Sequence, residues 1–188
     1  MKLDQKTFIT WFIIVAVAVC LKLLAAANYN FSGFTGIFAV MLFSATTIKN
    51  KPNTFLLPLV TLFLSDLFVQ FFYWAGWFEF PGFYKDQLLN YILILAAAGV
   101  ALLFSKGSMN TKIAGIIIVP TFFFLVSNFF VWKLQGAYLT YSNDMPGLIK
   151  CYTAALPFYR NSLISTSVLV PLFMLVHKLV AKGKPVLE

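Results

Sequence analysis

The sequence predicts an all-α integral membrane protein with six transmembrane helices, organised as a single domain over residues 1–188. Hydrophobic residues make up 61% of the chain, compared with roughly 45–50% in soluble domains. Charged residues make up only 11%, which excludes disordered and coiled-coil proteins. The apolar residues also fall into segments close to the roughly 20 residues that cross a bilayer. The six segments cover residues 8–27, 31–48, 54–73, 87–105, 112–132 and 161–180.

The first segment, residues 8–27, has two interpretations. A basic start followed by an apolar stretch and Ala25-Ala26-Ala27 is also typical of a cleavable signal peptide. Lys22 interrupts the apolar stretch just where an uninterrupted signal core should end, and removing the segment would leave five spans and disturb the alternation of charge between the two sides. We therefore interpret it as the first transmembrane helix.

The basic residues outside the segments lie mainly on one side of the predicted bundle. Nine of the fourteen basic residues lie at the termini and in the short connections on one side, and four lie on the opposite side, with Lys22 inside a segment. The nine are Lys2, Lys6, Lys49, Lys51, Lys106, Lys112, Lys178, Lys182 and Lys184. The positive-inside rule then places both termini in the cytoplasm. The same scattered distribution argues against a nucleic-acid-binding surface.

The connections on the outer side are longer than those on the inner side. The stretch 74–86 is rich in aromatic residues, and the stretch 133–160 contains Pro146-Gly147, which we expect to break the chain before a short interfacial helix at Leu148–Leu156. One interpretation of these aromatic residues is a belt at the lipid headgroups. The other is a pair of lids, around Trp77 and over Tyr138–Tyr152, that cover a ligand.

Polar residues inside the spans indicate where a site lies, because burying them in lipid is costly. Lys22, Asp66 and Asn128 are predicted at similar depths beyond the midplane, and the inner half is nearly free of charge. A pore would need polar groups at every depth, so this pattern favours a cup that opens to the outside. Lys22 and Asp66 are predicted to form a pair, either for structure or to hold a polar ligand atom.

The predicted lining of the cup combines polar and aromatic side chains near the outer ends of three helices. The candidate substrate-binding residues are Asp66, Gln70, Asn128, Trp132, Arg160 and Asn161. Because a guanidinium in lipid needs partners for five donors, we expect Arg160 to bind a carboxylate, a phosphate or backbone carbonyls.

Helix one carries a second candidate surface. Ala16 and Cys20 form a small-xxx-small pair on the face opposite Lys22, which suits close packing of a partner helix.

The sequence gives little support for an enzyme, although Asp66, Arg160 and Cys151 leave an intramembrane enzyme as a third reading. Motifs for a metalloprotease, a phosphate-binding loop and a nucleophile elbow are absent from the sequence, and two cysteines are too few for a structural zinc site. The one histidine, His177, is predicted at the inner end of helix six. Cys151 is predicted in the outer loop, either as a plain thiol or as a soft ligand to a metal-containing substrate. We expect no catalysis, resident cofactor or bound metal.

Several motifs resemble an uncharacterised bacterial membrane family related to the S components of energy-coupling-factor (ECF) vitamin transporters. The motifs are Asn30-Phe-Ser-Gly-Phe-Thr35, Leu64-Ser-Asp-Leu67, Asn128-Phe-Phe-Val-Trp132, Gly147-Leu-Ile-Lys-Cys-Tyr152 and Ala155-Leu-Pro-Phe-Tyr-Arg-Asn161, and the resemblance covers about residues 28–170. It implies six helices in the bacterial cytoplasmic membrane, a substrate cup capped by outer loops, and a helix-one face that docks on a coupling subunit. The helix-one motif departs from the family pattern, since Cys20 stands where the family has alanine.

We therefore expect an S-component-like protein that binds a small water-soluble nutrient, such as a vitamin or cobalamin, for uptake. Its expected partners are the lipid bilayer and the substrate, together with an ECF-type coupling subunit and ATPases unless the bundle reorients alone, since the sequence has no nucleotide-binding motif. The alternative is a non-transporting membrane subunit or scaffold, in which the same polar residues join helices or bind an assembly partner.

Overall fold

The computed structural model describes residues 5–48, 51–134 and 141–182 of the chain, and all regular structure in these ranges is helical. The helices are α1 (Gln5–Ala27), α2 (Ile37–Thr47), α3 (Lys51–Thr54), α4 (Leu56–Trp74), α5 (Gln87–Leu103), α6 (Met109–Leu134) and α7 (Met145–Lys182), with a 3₁₀ turn at Tyr29–Phe31. The prediction of an all-α protein is confirmed for the described part of the chain.

Four of the described helices are long and apolar enough to cross a membrane. They are α1, α4, α6 and the Met145–Ala181 part of α7. The apolar helices α2 and α5 are shorter, with 11 and 17 residues. The described residues therefore support four full-length spans, where the sequence predicted six.

Helix α2 is shorter than predicted because the chain turns before it begins. Gly33 has a φ of +83°, a left-handed conformation that favours glycine. A Cβ atom on Gly33 would lie 2.3 Å from the carbonyl oxygen of Phe158. Residues 28–36 thus form a tight connection against α7, and α2 begins at Ile37 instead of near residue 31.

Helix α2 occupies the centre of the bundle. Its residues 37–45 are all buried, and it contacts α1, α4, α5, α6 and α7. Met41 and Phe43 are fully buried, and the Phe43 ring packs edge-on against Phe173 of α7. Since lipid gives little hydrophobic driving force between helices, this dense packing is a main source of attraction between them.

Helix α7 begins sixteen residues before the predicted sixth span, so two sequence-based expectations are wrong. Pro146-Gly147 lies in the first turn of α7 instead of breaking the chain, and the predicted interfacial helix Leu148–Leu156 is part of α7. Asp144 caps this start, because its carboxylate accepts hydrogen bonds from the Gly147 N–H at 2.8 Å and from the Ser142 hydroxyl. Proline is tolerated in a first turn because its missing N–H has no helical partner there.

The two ends of the bundle differ in what they carry. The ammonium of Lys6 in α1 donates to the carbonyl of Ala181 in α7 at 3.2 Å, so the start of α1 lies beside the end of α7. We call this the terminal end. The opposite end, which carries residues 28–36, 75–86 and 141–145, is called the loop end. Lys2, Lys49 and Lys184, which contribute to the predicted inner charge, lie outside the described residues.

The 75–86 connection packs against α4. The Phe83 N–H donates to the side-chain oxygen of Gln70 at 3.0 Å. A Cβ atom on Gly82 would lie 1.9 Å from the carbonyl oxygen of Asp66, so only glycine allows this approach. The connection is therefore fixed to the side of α4, and Trp77 stacks on Phe72 with 73% of its surface exposed.

Candidate ligand cavity

A cluster of polar side chains around Asp66 joins three helices near the loop end. Asp66 lies in α4 and pairs with the ammonium of Lys22 in α1. Its other carboxylate oxygen accepts hydrogen bonds from the Gln87 amide at 2.6 Å and the Tyr91 hydroxyl at 2.8 Å, both in α5. The structure thus brings the two residues of the predicted pair together and adds two partners from α5.

The burial of this cluster is uneven. The Asp66 side chain is 5% exposed, whereas the Lys22 side chain is 27% exposed. A buried carboxylate needs compensating hydrogen bonds and charge, and Asp66 has three donors. Lys22 has three N–H donors, of which Asp66 takes one. The ammonium is therefore oriented by Asp66 and remains accessible on its other side.

The accessible side of Lys22 adjoins a cavity of about 330 Å³ inside the bundle. The cavity is surrounded by α1, α2, α4, α5, α6, α7 and the 28–36 connection. Its aromatic walls are Phe38, Phe123, Phe124, Phe158 and Tyr159, and its polar lining is Lys22, Thr35, Thr61, Ser65, Asn90, Ser127, Asn128 and Ser162. Its volume lies at the lower end of the 300–1,000 Å³ range of small-molecule sites.

Most neutral polar side chains in the lining donate a hydrogen bond to a backbone carbonyl. The Asn128 amide donates to the carbonyl of Phe124 at 2.8 Å. The hydroxyl groups of Ser65 and Ser162 donate to the carbonyls of Thr61 and Gly33, at 2.7 and 2.9 Å. Their oxygen atoms keep free lone pairs. The cavity therefore offers a cationic donor at Lys22 and mainly acceptors elsewhere.

Of the six predicted substrate-binding residues, Asn128 lines the cavity and Asp66 lies behind Lys22. Gln70 instead accepts the Phe83 N–H, as described above. Trp132 donates its indole N–H to the carbonyl of Ser142 at 2.9 Å, which joins the end of α6 to the chain before α7. These two residues hold connections in place and do not line the cavity.

The neighbours Arg160 and Asn161 point in different directions. Asn161 is buried, and its amide donates to the carbonyls of Asn30 and Ser32, each at 2.9 Å. Arg160 is exposed, does not line the cavity, and makes no hydrogen bond or ion pair with the described residues. Asn161 therefore anchors α7 to the 28–36 connection, and Arg160 lies on the outside of the bundle.

Gln87 and Tyr91 were not predicted from the sequence as partners of Asp66. The two residues are four apart, so they lie on one face of α5. A polar i, i+4 pair at the start of a mostly apolar helix was the signal that could have identified them, because it predicts a polar partner on a neighbouring helix.

The remaining predicted sites are separate from the cavity. Cys151 lies in α7 instead of in a loop, is buried, and has its Sγ 3.6 Å from the carbonyl oxygen of Asn128. Both cysteines are free thiols. Within the described residues, no three His, Cys, Asp or Glu side chains are grouped so that they could hold a metal ion. On α1, Cys20 is exposed and Ala16 is half-buried, so this face is accessible.

A second cavity of about 270 Å³ lies between the 75–86 connection, α5 and α6 at the loop end. It shares Asn90 and Ser127 with the first cavity and is bordered by Tyr84 and Asp86. Burial, together with the charges of Asp66 and Asp86, raises the pKa of the Tyr84 hydroxyl. Of the two predicted lids, neither Trp77 nor Tyr152 lines the first cavity, and Tyr138 lies outside the described residues.

Comparison with known proteins gives a family but no function. No curated protein and no solved structure matches the chain. A family of unknown function, DUF6580, matches residues 1–187. Since this match spans nearly the whole sequence, the chain belongs to the DUF6580 family.

Proposed function

We propose that the protein binds a small water-soluble molecule in the 330 Å³ cavity and takes it up across the membrane as S components do. The observation that carries this proposal is the convergence of Lys22, Asn128 and several hydroxyl groups on one cavity inside a bundle of apolar helices. Polar groups in such surroundings are costly unless they have partners. The internal partners of these groups leave two N–H donors of Lys22 and the side-chain oxygens of Asn128, Ser65 and Ser162 available, and a ligand such as a vitamin or related nutrient would bind to them.

The position of the cavity favours capture over conduction. It lies toward the loop end, whereas the terminal end is filled by α2 and its neighbours, including the fully buried Met41, Phe43 and Phe173. A continuous polar path is what conduction would need. Delivery of the bound molecule would therefore need reorientation of the bundle or an energised partner, such as an ECF-type coupling subunit with ATPases.

We further propose that the bundle lies in the bacterial cytoplasmic membrane with both termini in the cytoplasm. The start of α1 and the end of α7 share one end of the bundle, and basic residues are concentrated at that end in the sequence. Single cysteines in place of the exposed residues Lys85 and Lys106, in a chain without Cys20 and Cys151, test this orientation. A membrane-impermeant reagent should label the first variant in intact cells and the second only after lysis, and the reverse result would contradict it.

A non-transporting membrane subunit is the second candidate. Gln70, Trp132 and Asn161 form their hydrogen bonds with backbone groups of the connections, as expected of residues that only stabilise the bundle. The exposed face of α1 with Ala16 and Cys20 would then bind an assembly partner. This candidate assigns no ligand to the cavity, so a test of the cavity separates the two.

Two neighbouring alanines in α7 provide a matched test. Ala155 lines the cavity, and Ala154 is exposed. Ala155→Trp should fill the cavity and Ala154→Trp should leave it open, although both add the same indole to the same helix. Mass spectrometry should find the same small molecule bound to the wild type and Ala154→Trp but not to Ala155→Trp. Equal retention by both variants, or a wild type that carries only a partner protein, would contradict the proposal.

A further inference from the structure

The charges around the 330 Å³ cavity indicate the chemical class of its ligand, on the premise that the proposed function holds. We infer that the ligand is a small organic anion whose carboxylate binds the ammonium of Lys22. Lys22 is the one charged residue among the described residues that line the cavity, and Asp66, the nearest carboxylate, lies behind it. The cavity therefore presents the positive end of an oriented ion pair.

The partners of Asp66 leave the ammonium available to a ligand. Gln87 and Tyr91 both donate to one oxygen of Asp66, so the carboxylate does not depend on Lys22 for all of its hydrogen bonds. Lys22 gives one N–H to Asp66, and the other two match the two oxygens of a carboxylate. Asp66 is thus a positioning residue for Lys22, since it fixes where the positive charge meets the cavity.

The rest of the cavity matches an uncharged ligand body. The walls formed by Phe38, Phe123 and Phe158 suit an apolar or planar group. The side-chain oxygen of Asn128 and the hydroxyl oxygens of Ser65 and Ser162 accept hydrogen bonds, which suits N–H or O–H donors on the ligand. A cationic ligand could stack on the rings, but it would meet the ammonium of Lys22 at short range and no carboxylate in the described lining.

This inference assigns anion recognition to a residue other than the one the sequence suggested. Arg160 is exposed and does not line the cavity, whereas Lys22 is held against it by a buried carboxylate. An anion bound at Lys22 would also lie next to the Asp66 cluster that joins α1, α4 and α5.

The test uses a uniformly ¹³C-labelled, protein-free bacterial metabolite extract as the probe. Wild-type protein in detergent is incubated with the extract and washed, and captured labelled molecules are analysed by mass spectrometry before and after esterification of carboxyl groups. The variants are Lys22→Arg, which keeps the charge, Lys22→Gln, which removes it, and Lys22→Gln/Asp66→Asn, which removes both charges and leaves no unpaired buried carboxylate. Ala155→Trp provides the background, and melting temperature verifies that each variant is folded.

The wild type is expected to capture a molecule whose mass increases on esterification, because it carries a carboxyl group. Lys22→Arg should retain it, and both Lys22→Gln variants should capture at least about tenfold less, as expected for the loss of a charged hydrogen-bond donor. A captured molecule without a carboxyl group, whether it is cationic, neutral or acidic only through a phosphate, overturns the inference, and so does equal capture by the folded double variant. If the wild type captures nothing above the Ala155→Trp background, the proposed function itself fails, so the two failures are distinguishable.

Discussion

The two ends of the bundle use their hydrogen bonds differently. At the terminal end, Ser44 and Thr47 donate to carbonyls one turn earlier in their own helix, at 3.0 and 2.7 Å. At the loop end, Asp66 accepts from two other helices, and Asn161 and Ser165 of α7 donate to the 28–36 connection. Within the described residues, the terminal end is thus held mainly by packing, with the contact from Lys6 to the Ala181 carbonyl between α1 and α7, whereas the loop end is held by several polar contacts between elements.

This difference indicates a division of roles. Apolar packing is non-directional and tolerates rearrangement, whereas hydrogen bonds between helices fix distances and orientations. Polar contacts around a cavity therefore give it a defined shape at the cost of desolvating those groups. Changes that remove the polar contacts around the cavity should therefore alter both stability and ligand capture.

The largest expected effect comes from removing Asp66. Asp66→Ala leaves Lys22 without its countercharge and Gln87 and Tyr91 without their acceptor. Breaking a buried pair in this way typically costs about 3–5 kcal/mol. Denaturant-induced unfolding in detergent measures the loss. The double variant Lys22→Gln/Asp66→Asn is the control and should lose much less, because no charge is left unpaired, and equal losses would show that the charges do not interact.

Gly33→Ala should be the next most damaging change. A Cβ atom would overlap the carbonyl of Phe158, and the left-handed φ of Gly33 adds conformational strain. We expect a loss of about 2–4 kcal/mol from overpacking and strain together. Gly76 also has a positive φ, +75°, but no atom lies within 4 Å of its Cβ position. Gly76→Ala should therefore cost only about 1–2 kcal/mol, for strain alone, and matching losses would remove the steric argument.

The close approach at Gly33 marks one limit of prediction from sequence. The apolar segment 31–48 looked continuous by composition, because Phe31 and Phe34 are as apolar as the helix that follows. Composition does not show that residues 28–36 meet α7, since that contact joins residues about 130 positions apart. At α7 the error was the reverse, since the helix was predicted to begin too late. Pro146-Gly147 stops a helix in most contexts and begins one only when a residue such as Asp144 caps it.

The depth of a residue along its helix was predictable from the sequence, whereas the direction in which its side chain points was not. Counting residues along the helices placed Lys22 and Asp66 at matching levels, and the structure brings them into contact. The same count placed Arg160 and Asn161 together, yet adjacent helical residues point about 100° apart. One is buried against a connection and the other is exposed. A single sequence gives the level of a residue well, but the neighbouring helices decide which face is inside.

Asn161 is expected to show a smaller loss of stability together with a change in capture. Asn161→Ala leaves the carbonyls of Asn30 and Ser32 without their donor at the edge of the cavity. The loss should be about 1–3 kcal/mol. Capture from the labelled extract should fall as well, because Thr35 and Gly36 of the same connection line the cavity. A stability loss with unchanged capture would mean that the connection only supports the fold.

Arg160→Lys should have little effect on either property. The guanidinium has no partner among the described residues, and substitutions at such exposed positions usually change stability by less than about 0.5 kcal/mol. Melting and capture measured on one preparation test this expectation. Weaker capture with an unchanged melting temperature would return Arg160 to the binding site and would weaken the assignment of anion recognition to Lys22.

The smallest expected effect is a pH dependence at Asp144, which caps α7 at the loop end. Hydrogen bonds from the Ser142 hydroxyl and the Gly147 N–H lower the pKa of its carboxyl group. Because the pKa is lower in the folded state, the charged cap stabilises the protein above the ordinary aspartate pKa of about 3.9, and this contribution is lost as the pH falls through the lowered value.

Asp144→Asn isolates this charge, since asparagine can still cap the helix without it. The variant should unfold slightly more easily than the wild type near about pH 7, and the difference should shrink as the pH falls below about 3.9 and disappear below the lowered pKa of the folded state, where the wild-type carboxyl group is also neutral. Thermal unfolding at both pH values in a non-ionic detergent measures the difference. The same comparison for Thr47→Ala at the terminal end should not depend on pH, because the Thr47 hydroxyl does not titrate in this range. A difference for Asp144→Asn that persists at low pH would show that the cap acts through shape alone, and the loop end would then lose one of its electrostatic contacts.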